Sequence, residues 1–477
     1  MTARILAAVA AAALVGGCTL GPRNVDANAS LPPTGAGNAV TGPIAPVAGP
    51  GQAFTPGAGV PAAWWQSFGS PAIDALVARA LAANNDIQTA NAALRQAREQ
   101  AAAAFGATLP QVDASYQAQR IHASQTFSNP LQNPDEYTYS LHTAQVTVAY
   151  PLDLFGAGRS KAASARAAAE VQQDKLAAAR TTVVSNLVLA IIQQAALRAQ
   201  IDSAGESIRA NRTVLDLLLR RQQLGAIGAA DVAAQQTALA AAEGALPPIT
   251  RALAHQQAVI SQLIGVSPGN PLPALPTLAE IQVPANLPAA LPADIVRHRP
   301  DVLAAEAQMR GAAADIGAAM AARLPAIQLT ATAGGAAETF AQMFASGNPF
   351  WSLVGGVSQP LFHGGQLRHQ QRAAEAELDG AKSQYRAAVI QAFVDVSDAL
   401  TGLQGDANAL DAAARADTAA AQSLTYATRQ LQLGDIGTLN LLNAGAARAQ
   451  AASQLIQARA ARLSDGVALF QSLGGGW

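Results

Sequence analysis

Two stretches of the chain alternate strictly between apolar and polar residues. In the first, Val112, Ala114, Tyr116 and Ala118 alternate with glutamine, aspartate and serine, and the second runs similarly over residues 327–333. Less regular partners lie at about 138–150 and 350–359, with aromatic residues at their ends: Tyr137, Tyr139, Phe350 and Trp351. A period of two predicts strands with one apolar and one polar face. The chain therefore contains four predicted strands in two pairs, whose aromatic ends suit a membrane interface.

The segments between these strands predict helices that are too long for an ordinary globular protein. Residues 158–223 and 365–432 contain no proline, and about 65 helical residues span roughly 100 Å. Shorter helices are predicted at about 71–108, 230–264, 299–323 and 438–473. In the second long helix apolar residues recur every seventh position, with Asp417 as the only break: Val389, Val396, Leu403, Leu410, Leu424 and Leu431. Such a repeat predicts helices packed side by side as coiled coils.

The chain also repeats itself, and the repeat predicts its domain organisation. The segment Leu224–Gly228 returns as Leu433–Gly437, so the offset is 437 − 228 = 209 residues. Upstream of the first strand pair the offset is 215, because Asp86 matches Asp301. A long internal repeat implies one supersecondary unit used twice. We therefore predict a first repeat at 63–265, an inter-repeat linker or equatorial segment at 266–298, and a second repeat at 299–477.

The amino terminus carries a targeting signal. A basic start, an apolar run and small residues before Cys18 are typical of a secretory signal, and this end resembles a lipobox. We predict a signal peptide at 1–17, with Cys18 as the lipidated first residue of the mature protein. Thr19 follows it rather than aspartate, which indicates the outer membrane as the destination. Residues 18–62 are rich in proline and glycine and are predicted to form an extended linker.

Composition excludes several classes of function. The net charge is −1, which gives no basic footprint for nucleic acid, and one cysteine in 477 residues excludes a disulfide framework. We expect no catalytic constellation, metal or cofactor. The sequence Gly265-Val266-Ser267-Pro268-Gly269 matches a hydrolase nucleophile elbow, but Pro268 has no backbone N–H to donate to an oxyanion. A helix stop at Gly265 explains the segment better.

Membrane crossing, if it occurs, is expected through a closed barrel. Beyond the signal we find no uninterrupted apolar stretch of ~18 residues, and only helices and closed barrels can span a bilayer. Four strands cannot close a membrane barrel, since the smallest have about eight strands. Two chains would supply eight strands and three chains twelve. Symmetric oligomerisation is therefore expected.

Several motifs together resemble the TolC-like outer-membrane factors of tripartite efflux pumps, in the OprM/NodT-type lipoprotein branch. The matching segments are the lipobox, Trp64-Trp65, Asn85-Asp86-Ile87, Leu109-Pro110, residues 150–156, Arg297-x-Arg299-Pro300-Asp301, residues 359–365 and the ending 473–477. The resemblance implies a mostly helical homotrimer, in which a trimeric α-helical barrel continues into a twelve-stranded transmembrane β-barrel with four strands per chain. It further implies a passive exit duct that docks to a periplasmic adaptor and an inner-membrane RND-type pump, in contact with outer-membrane lipid.

The same resemblance assigns candidate site residues at the two periplasmic hairpin tips. The expected adaptor contacts are Leu224, Gly225, Gly228, Leu433, Gly434 and Gly437. Relatives carry Leu-x-x-x-Asp-x-x-Arg after the second tip as a polar lock of the periplasmic mouth. Here the matching residues are Leu439, Asn443 and Ala446, so the leucine is kept and the ion pair is lost. Arg448 and Asp435 are candidates for replacing that pair on position alone.

Three other functions remain open from the sequence. The same duct could serve polypeptide secretion of the type I kind, although the lipobox favours efflux. A periplasmic coiled-coil scaffold lipoprotein would explain the helices but not the alternating strands. A hydrolase is the third class, against which Pro268 counts.

Overall fold

The computed structural model describes most of the chain after the amino-terminal region. The described residues are 21–22, 51–56, 59–122, 124, 138–289, 298–433 and 436–476. Cys18, Tyr137, Gly434 and Asp435, which the sequence singled out, lie outside these residues.

Seven α-helices are present in the described part of the chain. They are α1 (Pro71–Ala83), α2 (Asn85–Gly106), α3 (Ala157–Gln223), α4 (Ala229–Leu263), α5 (Pro300–Ala321), α6 (Gln366–Leu433) and α7 (Thr438–Ser472). The two long helices have 67 and 68 residues, and α4 and α7 have 35 residues each. The predicted long helices are confirmed, and corresponding helices of the two halves match in length.

The repeat extends to backbone conformation. Gly156 and Gly365, which precede the two long helices, both have positive φ, at 81° and 85°. Gly265 and Gly474, which follow α4 and α7 at the same offset of 474 − 265 = 209, have φ of 72° and 95°. Positive φ favours glycine because it has no Cβ. These glycines are thus required by the turns that end and begin the repeated helices.

One predicted helix is interrupted. The expected helix over 71–108 is two helices, because Asn84 adopts an extended conformation with ψ of 132°. Its side-chain Oδ1 accepts hydrogen bonds from the backbone N–H groups of Asp86 and Ile87, at 2.9 and 3.2 Å. Asparagine in this role caps the start of α2. Its Nδ2 donates to the carbonyl of Leu263 at the end of α4, so the break also ties two helices together.

Within the described residues, six strands form two sheets. The strands are β1 (Ala53–Pro56), β2 (Gln111–His122), β3 (Thr138–Leu152), β4 (Asn286–Ala289), β5 (Ala326–Ala337) and β6 (Pro349–Ser358). The larger sheet is antiparallel in the order β2-β3-β5-β6. The small sheet pairs β1 with β4 in parallel. β1 falls within the segment predicted as an extended linker, and it pairs there with a strand of the inter-repeat segment.

The register of the larger sheet separates apolar from polar side chains. One row joins Val112, Val148, Ala331 and Leu353, and the row two residues away joins Ala114, Val146, Ala333 and Trp351. The intervening row, on the opposite face, joins Asp113, Thr147, Thr332 and Ser352. The predicted alternation is confirmed on β2 and β5, whereas β6 places Phe350 and Val354 on the polar face. Much of the apolar face is exposed in the single chain.

The aromatic ends of the strands divide between the two faces. Trp351 lies on the apolar face and is largely exposed. Tyr139 and Phe350 lie near strand ends, as predicted, but alternation places both on the polar face. Tyr116 instead contributes to the apolar face, where its ring contacts Phe340 at a centroid distance of 5.6 Å. Adjacent positions in a strand lie on opposite faces, so Phe350 and Trp351 cannot lie on the same face of the sheet.

The chain divides into two compact units, and the cuts fall inside helices. The first unit includes residues 94–172 and 305–385, with the larger sheet. Its helical part has a small core of Met309, Ala312, Ala313, Ile316, Ala374, Leu378 and Ala381. Alanine dominates this core, as expected where helices approach closely.

The second unit includes residues 173–304 and 386–477 and the region of Trp64. Trp64 is fully buried and stacks on Phe470 of α7 at a centroid distance of 5.2 Å. Helix α3 also contains an apolar window of mean hydropathy 1.5 that meets the length and composition of a membrane span. Since 56% of that window is buried within the protein, it is typical of a core helix.

A carboxyl pair lies between α6 and α7 in the second unit. Burial raises the pKa of Asp465 to about 7, and the negative charge of Asp406 adds to the effect. Arg462, 5% exposed, acts in the opposite direction and donates through Nη1 to the carbonyl of Leu403 at 2.5 Å. Asp465 therefore favours its protonated form in the folded chain, since a shared proton relieves the repulsion between the carboxyl groups.

This pair makes stability depend on pH. Because the pKa of Asp465 rises from 3.8 to about 7 on folding, its stabilising contribution is complete below pH 3.8 and is lost as the pH rises through 7. Asp465→Asn mimics the protonated form. We expect it to raise the stability by roughly 1–2 kcal/mol more at pH 8 than at pH 5, after a discount for solvent screening. Thermal unfolding followed by helical circular dichroism measures this, with exposed Asp398→Asn as control; an equal effect at both pH values would contradict it.

Candidate functional site

The first hairpin tip is closed by a glycine in the left-handed region. Helix α3 ends at Gln223, and Gly225 has φ of 72°. Its N–H donates to the carbonyl of Gln222, and the N–H of Ala226 donates to the carbonyl of Arg221, both at 2.9 Å. These two bonds form a Schellman motif, which satisfies carbonyls that the helix end leaves free. A Cβ at Gly225 would meet no atom within 4 Å, so only the backbone conformation requires glycine there.

The second tip joins α6 to α7 and is described on both sides of residues 434–435. Helix α6 ends at Leu433 and α7 begins at Thr438, after Gly437 in an extended conformation with φ of −79°. Gly228 has the same role before α4, with φ of −84°. Gly228 and Gly437 are therefore extended residues at the starts of helices, and positive φ is restricted to Gly225 among the described tip glycines.

The two tips lie beside each other within the second unit. Arg221 on α3 donates through Nη2 to the carbonyl of Leu431 on α6, at 3.2 Å. Leu431 belongs to an apolar cluster with Ala427, Leu441 and Ala444, against which Val214, Leu424 and Ile436 pack. At the surface, Leu224 is 84% exposed and Leu433 is 69% exposed. The tips thus present two exposed leucines on a packed base.

The residues that match the polar lock form a stripe along α7. Leu439, Asn443 and Ala446 follow a spacing of i, i+4 and i+7, which places them on one helix face. All three are exposed, Leu439 at 67%. The opposite side of the helix, with Leu441 and Ala444, packs on α6. The structure therefore brings the candidate gate residues together on the face that no other part of the described chain covers.

Arg448 does not belong to that stripe. Its guanidinium forms an ion pair with Asp417 of α6 and also donates to the Asp417 carbonyl at 3.3 Å. Asp417 is the residue that breaks the seven-residue apolar repeat of α6. The break is therefore explained by a charge pair between α6 and α7, and the structure gives Arg448 this partner within the single chain. Nothing in the alternation of the sequence indicated this pairing, because the two residues lie on different helices.

Arg299, to which the sequence assigned no role beyond its place in a family motif, is a buried residue with several partners. The side chain is 8% exposed and donates to Asp301 at 2.6 Å, to Asp395 of α6 at 2.8 Å and to the carbonyl of Ser472 at 2.8 Å. Burial alone would lower the pKa of Arg299, but the hydrogen bonds and charges of Asp301 and Asp395 raise it. Arg299 thus ties the start of α5 to α6 and to the end of α7. Within the described residues, no group of three or more His, Cys, Asp or Glu could hold a metal ion.

Comparison with known proteins identifies the architecture. Residues 76–266 and 291–475 match the family model described as outer membrane efflux protein. Among solved structures, the outer-membrane channel OprN superposes with a TM-score of 0.85 at 25% identity, covering 96% of this chain and all of that one. The CmeC outer membrane channel of Campylobacter jejuni gives 0.84 at 20% identity, over 96% and 95% of the two chains, and supports the fold.

Proteins related in sequence lead to the same family. The pyoverdine export outer membrane protein OpmQ of Pseudomonas putida is 30% identical, over 87% of this chain and 88% of its own length. The toluene efflux pump outer membrane protein TtgC of Pseudomonas putida is 28% identical, over 100% of this chain and 96% of its own. Together with the paired hairpin tips, the repeat and the four-stranded amphipathic sheet, these matches show that the chain belongs to the outer membrane efflux protein family.

Proposed function

We propose that this chain forms the outer-membrane exit duct of a tripartite efflux pump. Three copies would surround a continuous passage, and an adaptor and an energised RND-type inner-membrane pump would deliver compounds into it. The duct itself would conduct passively and would catalyse no reaction. The observation that carries the proposal is the sheet β2-β3-β5-β6, which has one apolar face, one polar face and two unpaired edges.

The sheet supports closure by other copies of the same chain. An exposed apolar face suits lipid, and unpaired edge strands cannot remain open inside a bilayer. The strands have 12, 15, 12 and 10 residues, and a membrane strand needs about 9–11. Three copies give twelve strands, which leaves room for a passage, whereas eight-stranded barrels are filled by side chains. A periplasmic scaffold would need no such sheet.

The transported compounds are proposed to be small. The relatives are named for the export of pyoverdine, toluene and antibiotics. Polypeptide secretion is the alternative, and the relatives favour efflux over it. Cys18 is proposed as the lipid attachment site, which would add an anchor to the barrel.

The hairpin tips are proposed as the adaptor contact and the stripe on α7 as the periplasmic gate. Leu224 and Leu433 support the first role, because exposed leucines on a packed base suit an apolar partner surface. Leu439 and Asn443 support the second role, because they lie on the uncovered face of α7. Without the Asp and Arg of the related lock, closure at this stripe would depend on apolar contacts of Leu439 and hydrogen bonds of Asn443.

Trimer closure is tested at the end of edge strand β6. Leu361 and Phe362 follow this strand and are 91% and 87% exposed, so a neighbouring copy would be needed to cover them. We expect Leu361→Asp with Phe362→Asp to abolish the heat-modifiable trimer in outer-membrane fractions on gels. The matched control Leu361→Met with Phe362→Leu keeps the apolar character and should keep the trimer. Normal trimers in the aspartate variant would exclude this edge from the subunit contact.

Tip docking is tested by charge placed on exposed apolar residues. Leu224→Glu with Leu433→Glu removes little internal packing, so the trimer should form normally in the outer membrane. We expect drug susceptibility to increase severalfold in cells that rely on this duct, because buried charges disfavour an apolar interface. The control Leu224→Met with Leu433→Met should retain resistance. Full resistance in the glutamate variant at normal protein levels would refute tip docking through these residues.

The gate is tested by restoring the missing pair. Asn443→Asp with Ala446→Arg should lower the resting conductance of purified trimers in planar bilayers, since a charge-assisted pair is roughly twice as strong as a neutral hydrogen bond. The decrease should shrink in high salt, because the positions are exposed. Asn443→Asp alone should not close the mouth, as three carboxylates near the axis repel one another. Parental conductance of the double variant at low salt would remove these residues from the gate.

A further inference from the structure

A single charged residue lies on the polar face of the larger sheet. The four strands contain two residues with a permanent charge, Asp113 and Arg120, both on β2. They are seven positions apart, so alternation places them on opposite faces. Asp113 shares its face with amides and hydroxyls, whereas Arg120 lies near the far end of the strand. The polar face of the described strands therefore carries one negative charge and no positive charge.

The surroundings of Asp113 are polar but neutral. Asp113 is exposed. Its row across the sheet continues through Thr147 of β3, Thr332 of β5 and Ser352 of β6. The hydroxyls of Thr147 and Thr332 are 3.5 Å apart. Among the residues that the structure describes, Asp113 forms no ion pair. Its carboxylate is thus an uncompensated charge in a row of hydroxyls.

Closure of the barrel would not supply a counter-charge. β2 is an edge strand, so its second neighbour would be β6 of the next copy. The residues of β6 on the polar face are Phe350, Ser352, Val354, Gly356 and Ser358, none of which is charged. Threefold symmetry would place three Asp113 carboxylates at one level of the lumen, near the end of the strands that leads to the helices.

We propose that Asp113 sets the charge preference of the barrel lumen, favouring cationic over anionic solutes among those that pass. The inference rests on the proposed trimeric duct, and it adds a specificity-determining residue to it. A ring of one sign inside low-dielectric walls raises the local concentration of opposite charges. Neutral compounds would be unaffected, because a fixed charge attracts or repels only charged solutes to this extent.

The test uses thiol labelling from outside intact cells, which does not require an open periplasmic mouth. Thr147→Cys places a thiol about 5 Å from Asp113 across the strand pair. Labelling rates are compared for a cationic and an anionic methanethiosulfonate, with Asp113 intact and with Asp113→Asn. Val148→Cys, on the apolar face, is the matched control for orientation, and the parent chain gives the background of Cys18.

We expect Thr147→Cys to react severalfold to about tenfold faster with the cationic than with the anionic reagent at low salt. Asp113→Asn should bring the ratio close to one, and Asp113→Lys should invert it. Val148→Cys should react with neither reagent. In planar bilayers the reversal potential in a salt gradient should shift in the same order.

The labelling experiment distinguishes failure of the inference about Asp113 from failure of the proposed barrel. If Thr147→Cys is labelled and Val148→Cys is not, but the ratio is the same with and without Asp113, the inference about Asp113 is overturned while the duct stands. If Val148→Cys is labelled and Thr147→Cys is not, the faces are assigned wrongly and the proposed barrel fails with it.

Discussion

The structure depends on a sheet that cannot be satisfied within one chain. Its two edge strands carry backbone N–H and C=O groups without partners, and its apolar face is exposed. In a bilayer each unpaired backbone group costs several kcal/mol, so the sheet requires closure. The register fixes which face is apolar, because a slip of one residue would exchange the two faces. The proposed oligomerisation and the proposed lumen chemistry both follow from this one constraint.

The helical part of the chain is built from the internal repeat and is held together by contacts between neighbouring helices. Each half uses one helix of nearly 70 residues and one of 35, joined at a tip by short glycine-containing turns. Small residues in the contacts, such as Ala427 and Ala444, allow close approach of neighbouring helices. Where a charge interrupts the apolar repeat, as at Asp417, an arginine of the neighbouring helix compensates it. Arg299 performs a similar role between three helices, with two carboxylates and a carbonyl as partners.

The candidate sites consist of exposed residues. Leu224, Leu433 and Leu439 are apolar yet exposed, although the helices that carry them are otherwise well packed. Exposed apolar residues at the ends of long helices indicate contact with other molecules. Asp113 represents the opposite case, since a charge without a partner is tolerated where water can reach it. The proposed functional residues are thus ones that the single chain leaves exposed.

The sequence by itself determined the long helices, the four strands and their two faces, because each follows from a local period of seven or two residues. It also determined the repeat, because whole segments return after 209 or 215 residues. It also predicted the tip glycine Gly225, since a tight turn after a long helix requires positive φ. Only the tertiary structure decided the break at Asn84, the strand Ala53–Pro56 and the pairing of Arg448 with Asp417. These features join residues that are far apart in the chain: Asn84 bonds to Leu263, Ala53 pairs with Asn286 and Arg448 meets a neighbouring helix. No local pattern specifies such partners, because hydrogen-bond and charge complementarity across helices arises only when the chain is packed.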